Sequence, residues 1–235
     1  MTKGIIYYTD NRCEERLATI VRNRLKVICK DFEIISVSHY PIDFGKNIVV
    51  NMPRHPISIF RQILIGLEHS TTDLVYLVEH DVLYHPSHFD PTPKHQNRFY
   101  YNKNRWAVDA TTGRAIFHHA RCMSHMVAGR EILLEHFTDI LALIDKVGYN
   151  QKRFGFSPGV HRISGIRRHG VRDYSSEYPN IDVKHATNLT PSEWEEEAFP
   201  KQASMGWQEA DEVPGWGKTK DRFDDFLNEV GGGEI

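Results

Sequence analysis

The sequence predicts an α/β fold built on a central sheet whose opening strands run parallel, and three observations carry that prediction. Residues 74–78, Leu-Val-Tyr-Leu-Val, are an apolar run of strand length with no polar face, as expected of a strand buried on both sides. Residues 4–38 read as strand, polar turn, amphipathic helix and strand, which calls for parallel strands joined by a right-handed crossover. A second helix then leads straight into the central run, so the β-α-β unit repeats.

Taken in order, residues 4–8 form the first strand and residues 9–12 a polar turn. Leu17, Ile20, Val21, Leu25 and Ile28 give residues 14–28 a helical apolar stripe. Residues 33–38 form the second strand, and the proline-rich span 40–56 a loop holding one short strand at 47–50. Ser58 is the expected cap of the next helix, whose apolar face is Ile59, Ile63, Leu64 and Leu67. Beyond the central run, residues 98–108 and 114–120 alternate as strands around a Thr111-Thr112-Gly113 turn. Residues 130–147 carry the clearest amphipathic helix. The span 152–172 is glycine-rich and basic, a loop runs on to Asn188, and an acidic helix-like piece covers 193–198. A polar tail follows, with one short helix at 221–230.

Composition narrows the class. The chain has 235 residues, 40% hydrophobic and 26% charged, ordinary values for a globular protein, with a formal charge of −2 that disfavours a general polyanion binder. Three widely spaced cysteines, Cys13, Cys29 and Cys122, point to reduced thiols and a cytoplasmic location rather than to a disulfide framework. No signal peptide and no membrane span are expected.

The chemistry concentrates after the central run. On a continuing strand, Glu79 and Asp81 would face one side and His80 the other, placing two carboxylates at the carboxyl end of an interior strand. Oxygen donors there suit Mg²⁺ or Mn²⁺ and the diphosphates such ions carry. Asp10 is able to accept from a pyrimidine ring N–H, and Arg12 to stack on a base or pair with phosphate. Either Asp10 or Asn11 also serves as a helix cap. The run Lys152, Arg153, His161, Arg162, Arg167, Arg168, His169 and Arg172 forms a basic segment, read as an acceptor lip for a phosphate-bearing acceptor, hydroxymethylated DNA included, or else as a solvated flexible loop or a nucleotide-diphosphate clamp. Trp216, within Pro-Gly-Trp-Gly-Lys, is a candidate lid over the donor.

The order of these parts resembles the GT-A type of nucleotide-sugar glycosyltransferase over residues 4–190. The quoted features are the first loop Tyr8-Thr9-Asp10-Asn11-Arg12, Arg61-Gln62 on the second helix, and Glu79-His80-Asp81 in place of an Asp-x-Asp motif. The resemblance implies a Rossmann-like nucleotide-binding half (1–90), an acceptor-side half (91–190) and a C-terminal extension (191–235) around a mixed central sheet flanked by helices. It implies that Thr9, Asp10, Arg12 and Arg61 hold the nucleotide, and that Asp81 binds Mn²⁺ or Mg²⁺ while Glu79 reaches the ribose or a metal-bound water. His185 returns as a further metal ligand, with Lys184 beside the diphosphate. The base of an inverting reaction would stand at the start of the helix after the acceptor-side strand. Glu131 occupies something like that place, with Asp109, Asp173 and Glu177 as competitors; the favoured reading of Glu131 from its position alone is a first-turn acid facing the helix dipole.

The expected function is therefore metal-dependent transfer of a sugar, most simply from a uridine diphosphate donor, to a hydroxyl of a glycan or of a hydroxymethylated DNA base. A nucleotidyltransferase or phosphohydrolase, and a non-catalytic nucleotide-binding module, stay open as alternatives, because the same strand order and acids serve them.

Overall fold

The computed structural model describes residues 1–117, 119–189 and 206–232. The fold is α/β, with a mixed central sheet flanked by helices. Strand β1 (Lys3–Thr9) is followed by helix α1 (Glu15–Ile28), β2 (Glu33–Ser38), β3 (Lys46–Val49), α2 (Pro56–His69) and the central β4 (Leu74–Glu79). Next come β5 (Val82–Leu83), β6 (Arg98–Asn102), β7 (Arg105–Asp109), β8 (Ala115–Phe117), β9 (Met126–Gly129) and α3 (Arg130–Val147). The chain continues through α4 (Gln151–Phe154), β10 (Gly170–Tyr174), β11 (Asn180–Lys184) and β12 (Gln208–Ala210), and a last helix spans Phe223–Gly232.

The seven-stranded sheet has the order β10-β6-β9-β4-β1-β2-β3. β9 is antiparallel to both β4 and β6, while β1, β2, β3 and β4 run together. Strand alternation explains why the central run shows no polar side. Tyr7, Leu74, Tyr76 and Val78 belong to one apolar cluster with α1, the last helix and the second sheet, and Ile6, Tyr8, Val75 and Leu77 to another with α2 and α3. Both faces are covered, so both sets of side chains are apolar.

A five-stranded sheet, β12-β8-β7-β11-β5, packs beside the first. The span read as one strand at 98–108 is two, because the chain leaves the large sheet after Asn102 and enters the small one at Arg105. The same transfer occurs after β4. Glu79 ends the central strand, His80 and Asp81 turn, and Val82 and Leu83 pair with Asp182 and Ile181 of β11. The hydroxyl of Tyr84 closes this turn, accepting from Glu79 N at 3.0 Å and donating to the Ser124 carbonyl at 2.9 Å. His80 and Asp81 thus sit at the crossing between the two sheets.

Helix α2 begins earlier than expected. His55 rather than Ser58 caps it, accepting from Ile57 N, with Pro56 in the first turn where its missing N–H costs nothing. The loop expected between the basic segment and Asn188 contains β10 and the buried β11. In the tail, β12 adds to β8, and the last helix lies on α1, where Arg16 Nη1 meets Asp224 Oδ1 at 2.7 Å. The acidic piece at 193–198 lies outside the described residues. Among the described residues, no helix is long and apolar enough to cross a membrane.

Candidate functional site

One pocket collects side chains from the carboxyl ends of both sheets. The end of β1 gives Thr9 and Asp10, β4 and its turn give Glu79, His80 and Asp81, and β11 and its following loop give Asp182, Lys184 and Asn188. This is where ligands of open α/β sheets sit.

Asp81 is buried, and Val183 N donates to its backbone carbonyl at 2.8 Å, so the pairing of β5 with β11 sets its position. Its Oδ2 lies 3.4 Å from His185 Nε2 and accepts from Asn188 Nδ2 at 2.7 Å, while its buried Oδ1 has no hydrogen-bond partner among the described residues. Burial alone would raise the carboxyl's pKa, but the neighbouring His80 and His185 overcome that and lower it. The imidazole of His185 is oriented from behind. Thr187 Oγ1 spends its only proton on the Arg12 carbonyl at 2.7 Å, so it accepts from His185 Nδ1 at 2.9 Å. Nε2 then carries the lone pair, which accepts from Asn188 Nδ2 at 3.2 Å and is the form that binds metals.

Glu79 behaves differently from Asp81. Its Oε1 accepts from the Tyr8 hydroxyl at 2.6 Å, and burial followed by the nearby charge of Asp81 pushes its carboxyl pKa up. Across the pocket, Lys184 Nζ meets Asp182 Oδ1 at 2.8 Å, and Asp182 is also paired with the buried Arg105. Although burial opposes it, the adjacent Lys184 and Arg105 hold the Asp182 carboxyl well below the usual range. Lys184 is thereby kept charged at the pocket wall. At the rim, Arg54 Nε meets Asp10 Oδ2 at 2.5 Å and Arg54 also donates to the Thr187 carbonyl, tying the first loop to the loop that carries His185.

Of the residues singled out from sequence, Thr9, Asp10, Glu79, Asp81 and Lys184 line this pocket, and His185 touches Asp81. The others are placed elsewhere. Arg12 is exposed and meets the site through its backbone, its N–H donating to Asp10 Oδ1 at 3.0 Å and its carbonyl accepting from Thr187. Arg61 projects from α2 toward Asp145 on α3, 3.7 Å away; its neighbour Gln62 faces inward and donates to the carbonyls of Thr9 at 2.8 Å and Val37 at 3.1 Å. Glu131 pairs with Arg130 and is 83% exposed. Because β9 runs against β4, with Gly129 opposite Leu74, the first turn of α3 lies at the amino end of the central strand, more than about 15 Å from Glu79 at the usual rise of a strand. Asp109 is occupied as a turn cap, accepting from Thr111 N at 3.0 Å and Thr112 N at 2.7 Å. Trp216 is no lid: its indole donates to the Pro179 carbonyl at 2.7 Å and its ring lies under Arg24.

The basic segment is likewise not one lip. Arg167, Arg168, His169 and Arg172 line a groove at the β10 edge, where Gly170 pairs with Arg98. Registers through β6 and β9 place Arg98 level with the start of β4, so these residues sit at the far end of the sheet from Asp81. Phe156, from the same segment, does reach the pocket. The expectation that His80 faces away from Glu79 and Asp81 also fails. The strand ends at Glu79, and His80 lines the same pocket. Cys13, His80 and His185 each offer one ligand atom there, all within 4.8 Å of one another. Cys13, His80, Gln62, Asn188 and Asp182 were not among the expected site residues. The acidic Asp182 between Ile181 and Val183 was the one available signal.

No family model and no curated protein matches the chain. Among solved structures, the chain is distantly similar to a glycosyltransferase involved in the glycosylation of the major capsid of PBCV-1, with 10% identity, TM-score 0.46, and coverage of 74% of this chain and 82% of that one. A mutant of Drosophila beta-1,4-galactosyltransferase 7 in complex with manganese, UDP-Gal and xylobiose matches at 10% identity and TM-score 0.42, over 85% and 79% of the two chains. The bifunctional IspDF of Campylobacter jejuni matches at 11% identity and TM-score 0.41 over 76% of this chain, which spans 50% of that enzyme's length. Likenesses this distant carry no argument about substrate or chemistry.

Proposed function

We propose that the chain is a metal-dependent glycosyltransferase that moves a sugar from a nucleoside diphosphate donor, most simply a uridine one, to a hydroxyl acceptor. The observation that carries this reading is that Asp81 and Lys184 line one pocket with His185 against Asp81, and that Asp81 Oδ1 is buried and unpartnered among the described residues. A carboxylate with one bare oxygen, whose other oxygen lies 3.4 Å from an imidazole nitrogen, fits a divalent cation. Asp81 and His185 would hold that cation, which when bound supplies positive charge to a departing diphosphate.

The chain's own residues do the rest. Lys184, fixed by Asp182, presents its ammonium to phosphate oxygens. Asp10 and Thr9 close the end of β1 around the nucleotide base, with Arg54 holding Asp10 in place. Tyr8 keeps the Glu79 carboxyl turned into the pocket, where it reaches a ribose hydroxyl. The acceptor enters on the Phe156 side and offers a hydroxyl, as a glycan does. The arginine groove at the β10 edge gives a DNA acceptor no support.

Incubating the protein with Mn²⁺ and a panel of nucleotide sugars, followed by product analysis, tests this. Release of free nucleoside diphosphate together with a glycosylated acceptor supports it. Release of pyrophosphate or inorganic phosphate favours the nucleotidyltransferase or phosphohydrolase, and nucleotide binding with no metal requirement favours a non-catalytic module.

A further inference from the structure

The donors around His185 are not those of a hard cation alone. Cys13, in the loop before α1, is buried, and its thiol donates to the His80 carbonyl across 3.8 Å. His80 Nδ1 is buried with no hydrogen-bond partner among the described residues, as is Oδ1 of the next residue, Asp81. Orphaned buried polar atoms are rare in folded proteins and call for an explanation. Here two of them lie beside a thiol and an imidazole already aimed by Thr187 and Arg12, the outer support that metal-binding histidines use.

We infer that Cys13, His80 and His185, with Asp81 as fourth donor, form a site for a thiophilic divalent cation of the zinc class. One sulfur, two nitrogens and one oxygen suit a tetrahedral borderline-soft ion, whereas Mg²⁺ takes oxygen ligands. Tetrahedral zinc places such donors roughly 3.4–3.6 Å apart. The ligand atoms of Cys13, His80 and His185 lie within 4.8 Å of one another, so side-chain adjustments on the order of 1 Å bring these three onto one ion, and Asp81, whose Oδ2 lies 3.4 Å from His185 Nε2, turns its carboxylate to complete the shell. The Cys13 thiol proton leaves to solvent as the thiolate binds the ion. Asn188 Nδ2, which bridges Asp81 Oδ2 and His185 Nε2 at 2.7 and 3.2 Å, occupies the adjoining position and yields to the cation. The site shares Asp81 and His185 with the proposed transfer reaction but does not require that reaction.

Titration of the metal-free protein with cobalt(II) chloride, read by absorption spectroscopy, tests the inference. One equivalent should produce a thiolate-to-cobalt charge-transfer band and the intense visible bands of tetrahedral cobalt, and zinc chloride should bleach both. Cys13→Ser should remove the charge-transfer band while Cys122→Ser, at the same pocket, retains it. His80→Ala should weaken cobalt binding by at least about tenfold. Circular dichroism establishes that each variant is folded. Should a variant fail to fold, zinc protection of Cys13 from alkylation in the unmodified protein, read by peptide mass, replaces it. A weak octahedral spectrum, a charge-transfer band that survives in folded Cys13→Ser, or alkylation of Cys13 unaffected by zinc overturns the inference. Those results would leave sugar transfer with Mn²⁺ untouched, and failure of transfer would leave the cobalt spectrum untouched.

Discussion

His185 Nε2 stands 3.4 Å from Asp81 Oδ2 although 104 positions separate the two residues, one in the turn after β4 and the other just beyond β11. The meeting is made by backbone. Two residues of β5 pair with β11 immediately after Asp81, so wherever that pairing forms, the loop after Lys184 must arrive at the end of the central strand.

The face that α2 turns toward the site is tested by two adjacent substitutions. Gln62→Leu leaves the carbonyls of Thr9 and Val37 buried without their donor and should cost about 2 kcal/mol of stability. Arg61→Ala removes an exposed ion pair and should change stability by less than about 1 kcal/mol, with nucleotide binding unaltered. Urea unfolding of both variants and nucleotide calorimetry on the second check this.

Glu131→Gln should leave turnover unchanged. Its carboxylate is exposed at the opposite end of the central strand from Asp81, and only a helix-dipole contribution of about 0.3–1 kcal/mol is at stake. A large fall in kcat would mean that a base acts from that end of the sheet.

Asp182→Asn should be far more damaging to the fold. It leaves Arg105 without the carboxylate that neutralises it in a buried position, a loss of about 3–5 kcal/mol read from the denaturation midpoint. Lys184→Ala, by contrast, should weaken diphosphate binding more than it weakens the fold, since its side chain is 22% exposed at the pocket wall.

Two buried groups give opposite pH signatures. Burial pushes the His88 imidazole down to about 3, so the native state stays neutral while the unfolded chain takes up a proton below the ordinary value of 6.5. Stability from this group is present above that value and is lost as pH falls toward 3; in His88→Leu the acid-side slope should flatten. Glu79 is raised by burial and by Asp81, so its contribution is lost as pH rises through its folded pKa. Without metal, Glu79→Gln should therefore stabilise the protein most on the alkaline side. Unfolding midpoints measured across pH show both.

Much of this arrangement was legible in the residues. The apolar run ending in Glu79 marks a strand covered on both faces, and the carboxylates at its end mark the side where ligands collect. Less legible was anything fixed by strand direction or by one residue of rotation. Nothing in Met126 to Gly129 announces that β9 runs against its neighbours, yet that reversal carries Glu131 to the wrong end of the sheet. A helix turns about 100° per residue, so Arg61 and Gln62 differ in facing only through which side packs on β1 and β2. The period of two assigned His80 to the far side because the end of the strand at Glu79 is set by Tyr84, five residues later.

The most direct measurement is calorimetry of uridine diphosphate binding with and without Mn²⁺, on the unmodified chain and on Asp81→Ala. Binding that strengthens at least about tenfold with the metal, and loses that gain in a folded Asp81→Ala variant, is the predicted result. Equal binding with and without metal, or a metal gain that survives in Asp81→Ala, would contradict the assignment of Asp81 to a cation that holds the diphosphate.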